Sequence, residues 1–420
     1  MLRIYRLLTN IVCFFAPIIL KLRIYRKKED ENRYTEKLCT IEKKRTGGKL
    51  VWFHAASVGE LMSIIPILEK LEKIKEIKTI LITTNTISSS RIFEKKIKSK
   101  KIIHQFFPFD KNIFAKKFLN HWLPDLVIFV ESEIWPNFIF NIKNKKIPLI
   151  LLNARITTKT YLRWKKIPNF TKLIFGCFDM CLSQNKETEK YLKNFGVKKI
   201  KNLGNLKFSR SKFISSNKLN KNILKMFQYK KIWCASSTHD GEEIFCSKTH
   251  IELKKKLKNI ILVIIPRHIY RCDEIVEKLN KMNLKVHIHG SQSKFNLDAD
   301  IYLVNTFGET QKFFNISKSV FLGGSIINHG GQNPIEPTRI GCSIYHGPHI
   351  NNFKEIYSYL DSHNISKKIN NINNLKKFLL KDLSMKANRS QKLKKRINTM
   401  GQFILKNIDL EIKKFVVSHK

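Results

Sequence analysis

The residues with most to offer chemically stand just after short apolar runs of this 420-residue sequence. In His54-Ala55-Ala56-Ser57-Val58-Gly59-Glu60 an apolar run, a small-residue turn and a helical pattern succeed one another. A carboxylate fixed there, Glu60, can take the proton from an attacking hydroxyl, the task of a general base. Ser57 and Glu60 also have the spacing of a capping box, in which serine accepts from one amide and glutamate reaches back to another. One carboxylate can do both. In Glu131-Ser132-Glu133-Ile134-Trp135-Pro136-Asn137, two acids directly follow a run ending at Val130. Buried without partners they would be costly, so they must be solvated or meet cations. Arg155, and Lys207 in Gly204-Asn205-Leu206-Lys207, are the candidate cations. A purely structural ion pair fits this pattern as well as catalysis does.

The second half holds groups suited to an anionic ligand. Ser236-Ser237-Thr238-His239-Asp240-Gly241-Glu242-Glu243 offers hydroxyls and amides at the positive end of a helix, with simple N-capping the plainer account of Ser237. In Pro266-Arg267-His268 a guanidinium at a strand end can grip a phosphate or carboxylate in bidentate fashion. Phe307-Gly308-Glu309 opens a helix and can present backbone amides. Gly323-Gly324-Ser325 is followed by Gly330-Gly331-Gln332-Asn333-Pro334-Ile335-Glu336-Pro337. Glycines after a strand let backbone approach a phosphate, Pro334 suits a first helical turn, and Glu336 is placed to accept from two ribose hydroxyls. No Gly-Lys-Ser/Thr follows, and no dinucleotide fingerprint stands near the first strand.

These groups need rigid elements behind them. Short apolar runs alternate with amphipathic stretches, the rhythm of a parallel sheet flanked by helices. The first half predicts strands at Leu50 to Ala55, Thr79 to Thr83, Ile102 to Phe107, Asp125 to Val130 and Pro148 to Leu152. The second half predicts Ile232 to Ala235, Ile260 to Ile265, Lys285 to Ile288, Ile301 to Val304 and Val320 to Leu322. The expected architecture is therefore α/β, two doubly wound domains in tandem, dividing between about Ser209 and Lys230 where Ser, Lys and Asn replace periodic apolar residues. A Lys-rich helical pattern from Leu375 onward can cross back onto the first domain.

The first 30 residues differ from the rest. Arg3 and Arg6 precede an apolar run from Leu7 to Leu20, and Lys21, Arg23, Arg26, Lys27 and Lys28 follow it. The run is shorter than a full membrane span, contains Asn10 and Pro17, and lacks a small-residue cleavage site, which favours an uncleaved anchor over a signal peptide. Basic residues on its C-terminal side favour a cytoplasmic catalytic body. The whole chain carries 79 Lys+Arg against 33 Asp+Glu, a formal charge of +46. That excess is mostly Lys spread evenly among Ile, Asn and Phe, as an AT-rich genome would produce, and no RNA-binding or helix-turn-helix signature accompanies it. Anionic membrane is the expected surface and nucleic acid is not. Eight scattered cysteines, with Cys177 and Cys181 the one close pair, read as reduced thiols, and no metal site or cofactor is expected.

Seven motifs in order resemble those of the Kdo (3-deoxy-D-manno-octulosonic acid) transferases of bacterial lipopolysaccharide synthesis. They are His54 to Glu60, Glu131 to Asn137, Asn153-Ala154-Arg155, Gly204 to Phe208, Pro266-Arg267-His268, Phe307-Gly308-Glu309 and Gly331 to Glu336. The resemblance runs from the anchor to about Phe353. It implies a GT-B fold, two Rossmann-like domains with a catalytic crevice between them: an anchor at 1–34, an acceptor-side domain at 35–209 and a CMP-sugar-binding domain at 210–420. It implies inverting transfer of Kdo from CMP-Kdo onto a lipid A precursor, lipid IVA, at the inner membrane. By the same resemblance Glu60 matches the proton acceptor, and Glu131 and Lys207 match positions that stabilise the transition state. Pro266, Arg267, Phe307, Gly308, Glu309, Asn333, Pro334, Ile335 and Glu336 match CMP contacts. Two departures stand out: Asn305-Thr306-Phe307 where the family often has Asp-Thr-Met, and Gln332 where it often has His. The alternatives are a GT-B enzyme using another sugar nucleotide, and a non-catalytic basic protein binding membrane or RNA.

Overall fold

The computed structural model describes residues 1–209, 219–290, 298–384 and 388–417. The chain divides into two compact units, Met1–Ile214 with Met400–Lys420, and Ser215–Thr399. The first dividing point, and part of the boundary expected from the sequence, lie outside the described residues, whereas the second falls inside the helix Asn388–Val417. Each unit is built on a seven-stranded sheet in which every neighbouring pair is parallel.

The first sheet comprises β1 (Lys49–His54), β2 (Ile77–Thr84), β3 (Ile102–Phe106), β4 (Leu126–Val130), β5 (Leu149–Ala154), β6 (Met180–Ser183) and β7 (Ile200–Asn202), in the order β3-β2-β1-β4-β5-β6-β7. A parallel strand between helical layers is buried on both faces, so β4 reads Leu-Val-Ile-Phe-Val without alternation and is wholly buried. Trp52 of β1 is fully buried against Phe118 (4.8 Å between ring centroids) and Phe129 (5.5 Å), with its indole N–H donated to Thr83 Oγ1 at 2.9 Å. Burying such a side chain contributes about 1.5–3 kcal/mol before packing terms.

The second sheet comprises β8 (Lys231–Thr238), β9 (Ile260–Pro266), β10 (Val286–Ile288), β11 (Ile301–Leu303), β12 (Ser319–Leu322), β13 (Ser343–His346) and β14 (Ser366–Lys368), in the order β10-β11-β9-β8-β12-β13-β14. Apolar clusters cover both of its faces, one around Trp233, Leu262 and Phe321, the other around Cys234, Val263 and Val320. The expected strands all form. The ones sequence reading missed are β6, β7, β13 and β14, of three or four residues each.

In the first order the winding reverses between β1 and β4; in the second, β8 and β12 are the neighbours from which the chain continues toward opposite edges, with β11 inserted between β9 and β10. Ligands of open parallel sheets bind beyond the carboxyl ends of the strands at such points. The helix Asn388–Val417 ends within the first unit, where Lys201 Nζ meets Glu411 Oε1 at 2.9 Å.

The N-terminal helix Leu2–Tyr25 runs on through Pro17 and lies along the first unit. Tyr5 donates to Asp110 Oδ2 at 2.7 Å, Arg6 Nε to Asn137 Oδ1 at 3.3 Å, and Asn137 Nδ2 to Thr9 Oγ1 at 3.3 Å. Cys13, Ala16 and Leu20 continue the buried face, while Leu7, Ile11, Phe14, Phe15, Ile18 and Leu22 are exposed. Among the described residues this is the one helix long and apolar enough to cross a membrane.

Candidate active site

The β1/β4 switch point gathers the acids of the first unit. Ser57 caps the helix Val58–Leu71 by accepting from Glu60 N at 3.4 Å. Glu60 folds back to accept from Ala56 N and from Ser57 Oγ, each at 2.8 Å, so the capping geometry is present. Burial raises the proton affinity of this carboxylate, and the charges of Glu133 and Glu131 add to it against the Ser57 and Ala56 hydrogen bonds. The outcome is a pKa pushed up to about 7.

Glu131 caps the end of β4 with φ +58, and Asn153 near the end of β5 has φ +53. Left-handed backbone at a non-glycine residue persists only where the surroundings over-determine it. Here the two turns aim their side chains at each other, Asn153 Nδ2 lying 3.5 Å from Glu131 Oε1, while Asn153 Oδ1 accepts from Leu206 N at 2.9 Å. That last bond fixes the turn carrying Lys207, whose ammonium reaches Glu131 Oε1 at 2.5 Å. Arg155 meets the same loop through its backbone, its N–H bonding Glu131 O at 3.2 Å and its carbonyl accepting from Ser132 Oγ at 2.6 Å.

Glu133 meets a different partner from the cations expected of it. His54 Nε2 lies 3.1 Å from its Oε2, and Trp135 Nε1 donates to the same oxygen at 2.8 Å. Burial alone would raise the Glu133 carboxyl, but His54, by hydrogen bond and charge, and the Trp135 N–H outweigh it and hold it below the usual range. The fully buried His54 also meets Thr83 Oγ1 through Nδ1 at 3.0 Å.

In the second unit the candidate ligand contacts leave the carboxyl edge of adjacent strands. Pro266 ends β9, and Arg267 beyond it is exposed, with its N–H donated to Thr238 O at 2.9 Å. Beyond β11, Phe307 is 72% exposed and Gly308 has φ +81. Glu309 precedes the helix Thr310–Phe314, with His289 Nε2 at 2.6 Å and the Lys312 ammonium as its partners. Asn333 Oδ1 accepts from Ile335 N at 3.1 Å, Pro334 precedes the helix Ile335–Ile340, Ile335 is buried, and Glu336 is exposed on its first turn. The helices Thr310–Phe314 and Ile335–Ile340 pack on each other.

Two expectations need correction. Ser237 is not an N-cap: it sits in β8 with φ +55, and the helix Glu242–Lys254 is capped by Gly241. The Gly323–Ser325 amides do not stand open to a phosphate. The fully buried Glu242 accepts from Gly324 N (2.7 Å), Ser325 N (3.0 Å), Ile326 N (3.0 Å) and His239 N (3.0 Å). Gly323 is required there because a Cβ would lie 2.4 Å from Ser237 O. Glu242 was legible only as a helix-start acid, since three of its four partners lie 82, 83 and 84 residues downstream. All eight cysteines are buried free thiols. Among the described residues no group of three or more His, Cys, Asp and Glu is arranged to hold a metal.

Residues 32–210 match the family model described as 3-deoxy-D-manno-octulosonic-acid transferase (kdotransferase). The 3-deoxy-D-manno-octulosonic acid transferase of Rickettsia bellii is 32% identical over 349 residues, 83% of this chain and 82% of that one. The probable mitochondrial 3-deoxy-D-manno-octulosonic acid transferase of Arabidopsis thaliana is 31% identical over 371 residues, covering 86% and 83%. In fold alone, the chain is similar to the solved putative UDP-N-acetylglucosamine 2-epimerase of Listeria monocytogenes, with 15% identity, TM-score 0.57, and coverage of 89% of this chain and 98% of that one. Two doubly wound Rossmann-like units of the GT-B class, with the ordered motifs seated at their strand ends, agree with that kinship. The chain is a glycosyltransferase and belongs to the family of the 3-deoxy-D-manno-octulosonic acid transferases.

Proposed function

We propose that the protein transfers Kdo from CMP-Kdo to a hydroxyl of a lipid A precursor, lipid IVA, with inversion at the anomeric carbon. The first unit serves the acceptor and the second the donor. The observation that carries this reading is Glu60, a carboxylate at a sheet switch point with its proton affinity raised to about 7, close to the charge pair of Glu131 and Lys207. A base is most effective when its pKa lies near the working pH. Glu60 takes the proton as the acceptor oxygen bonds to the anomeric carbon. On the opposite face the bond from that carbon to the phosphate oxygen breaks, and CMP leaves with the electron pair. Negative charge grows on that phosphate, and a fixed guanidinium, Arg267, stabilises it most when it is fully developed. Since the amides after β12 are engaged by Glu242, backbone donors are assigned to the Phe307–Glu309 loop. Lys207, paired with Glu131, places a cation beside the reacting hydroxyl. Asn333 to Glu336 hold the nucleoside.

The same reading places the protein at the inner membrane with its catalytic body on the cytoplasmic face. The helix Leu2–Tyr25 lies in the interface with its exposed apolar strip in the acyl region, because polar bonds from Tyr5, Arg6 and Thr9 tie its opposite face to the first unit. The test is purified full-length protein with CMP-Kdo and lipid IVA, read by mass spectrometry of the lipid. A product heavier by Kdo residues is expected. A product formed from UDP-sugars and not from CMP-Kdo would assign another donor.

A further inference from the structure

We propose that His239, His268 and His329, together with Arg267, form a seat for an oxyanion of the donor at the carboxyl edge of the second sheet. The proposal rests on the donor reading above and extends it to residues that the resemblance does not assign.

β9, β8 and β12 are neighbours, with Thr238 opposite Pro266 and Ser236 opposite Leu322. The residues that follow them are therefore delivered to one edge. His239 and His329 stack with ring centroids 4.4 Å apart and planes at 16°, and His268 meets His239 edge-on at 5.8 Å. Gly324, whose φ of +64 favours glycine, lies against this stack: a Cβ there would be in van der Waals contact, at 3.4 Å, with both His239 Cδ2 and His329 Cβ. The backbone of the cluster is held from beneath by Glu242, which accepts from His239 N and Gly324 N.

The nearby acids are already engaged. Glu242 accepts from four amides, Glu243 pairs with Arg271, and Asp240 pairs with Arg271 and Lys278. Among the described residues no carboxylate pairs with the three imidazoles or with Arg267, and the buried Nε2 of His239 has no hydrogen-bond partner. Burial first, then His329, His268, Arg267 and Arg271, press His239 down to about 4, the effect of basic groups crowded without a counter-ion. An oxyanion among them would accept from Nε2 and relieve the crowding. The donor brings two such groups, its phosphate and the carboxylate of the sugar acid.

Calorimetry on the full-length protein with CMP, cytidine, CMP-Kdo and inorganic phosphate tests this, with His239→Phe and His329→Phe as variants that keep an aromatic ring and remove the donor. His329 is exposed, so its variant keeps the test open should the other fail to fold. If the seat takes the phosphate, the variants weaken CMP roughly tenfold and leave cytidine unchanged, as expected for losing a charge-assisted hydrogen bond. If it takes the carboxylate, CMP holds and CMP-Kdo weakens by that factor. Unchanged affinity for every probe overturns the proposal, and so does an equal loss for cytidine. Wild-type protein that binds inorganic phosphate through these histidines but neither CMP nor CMP-Kdo would keep the seat and remove the donor reading. Protein that binds none of the four probes removes the seat.

Discussion

At the scale of single residues the first site is a set of acids held in opposite conditions by their neighbours. Glu133 and Glu131 have partners that accept their charge, His54 with Trp135 in one case and Lys207 in the other, whereas burial and these two acids work against ionising Glu60. Activity should therefore rise with pH until Glu60 ionises, giving kcat/KM an acid limb with its midpoint near 7. Glu60→Gln should abolish that limb, lower turnover by roughly 10²- to 10⁴-fold and leave CMP affinity intact. Near-normal turnover in the variant would remove Glu60 from the role of base. A stability effect of definite sign follows as well. A carboxyl whose folded pKa is raised contributes its full stabilisation below the unfolded value and loses it as pH rises through the folded one. Glu60→Gln, which keeps the capping-box residue class, should therefore gain in melting temperature relative to the wild type between pH 5 and pH 8. A relative fall over that window would show that the ionised carboxylate is welcome where it sits.

At the scale of elements, two devices hold the sites. Glu242 ties the start of the helix Glu242–Lys254 to the loop after β12 through four charge-assisted hydrogen bonds. Glu242→Gln keeps the volume but introduces an amide donor facing backbone N–H groups. It should destabilise the protein by about 3 kcal/mol or more, seen as a shifted urea midpoint, and weaken CMP binding along with it. The other device is the junction of Asp110, Asn137 and the N-terminal helix. Asp110 caps the helix Pro136–Asn144 by accepting from Asn137 N at 3.1 Å and Phe138 N at 3.0 Å, and it also takes the Tyr5 hydroxyl. Burial raises the Asp110 carboxyl despite these donors. Tyr5→Phe combined with Asn137→Ala should free the N-terminal helix, speeding hydrogen exchange across Leu2–Tyr25 while β1 stays protected. Unchanged exchange would mean that apolar packing alone holds the helix.

At the scale of the whole molecule, the proposed membrane contact would draw on a formal charge of +46 and on the exposed apolar strip of the helix Leu2–Tyr25. The charge is screened by salt and the apolar contact is not. Binding to anionic vesicles should weaken from low to high salt but level off above zero. Replacing Phe14, Phe15 and Ile18 by Ser should remove the salt-resistant part, a loss of more than tenfold at about 1.5–3 kcal/mol per side chain buried. A triple variant that still binds at high salt would place the membrane contact elsewhere.

The sequence by itself determined what depends on local order along the chain. The longer strands, both parallel sheets, the capping box at Ser57 and Glu60 and the motif order all follow from neighbouring residues, because pattern and propensity act over a few positions. Only the tertiary structure decided the pairings. Lys207 met Glu131 while Glu133 met His54, Glu242 claimed the amides assigned to a phosphate, and Asn137 turned to the N-terminal helix. A carboxylate's partner is chosen by which strand ends lie side by side, and that adjacency joins residues 79 and 82 positions apart for Glu133 and Glu242, which spacing along the chain does not encode.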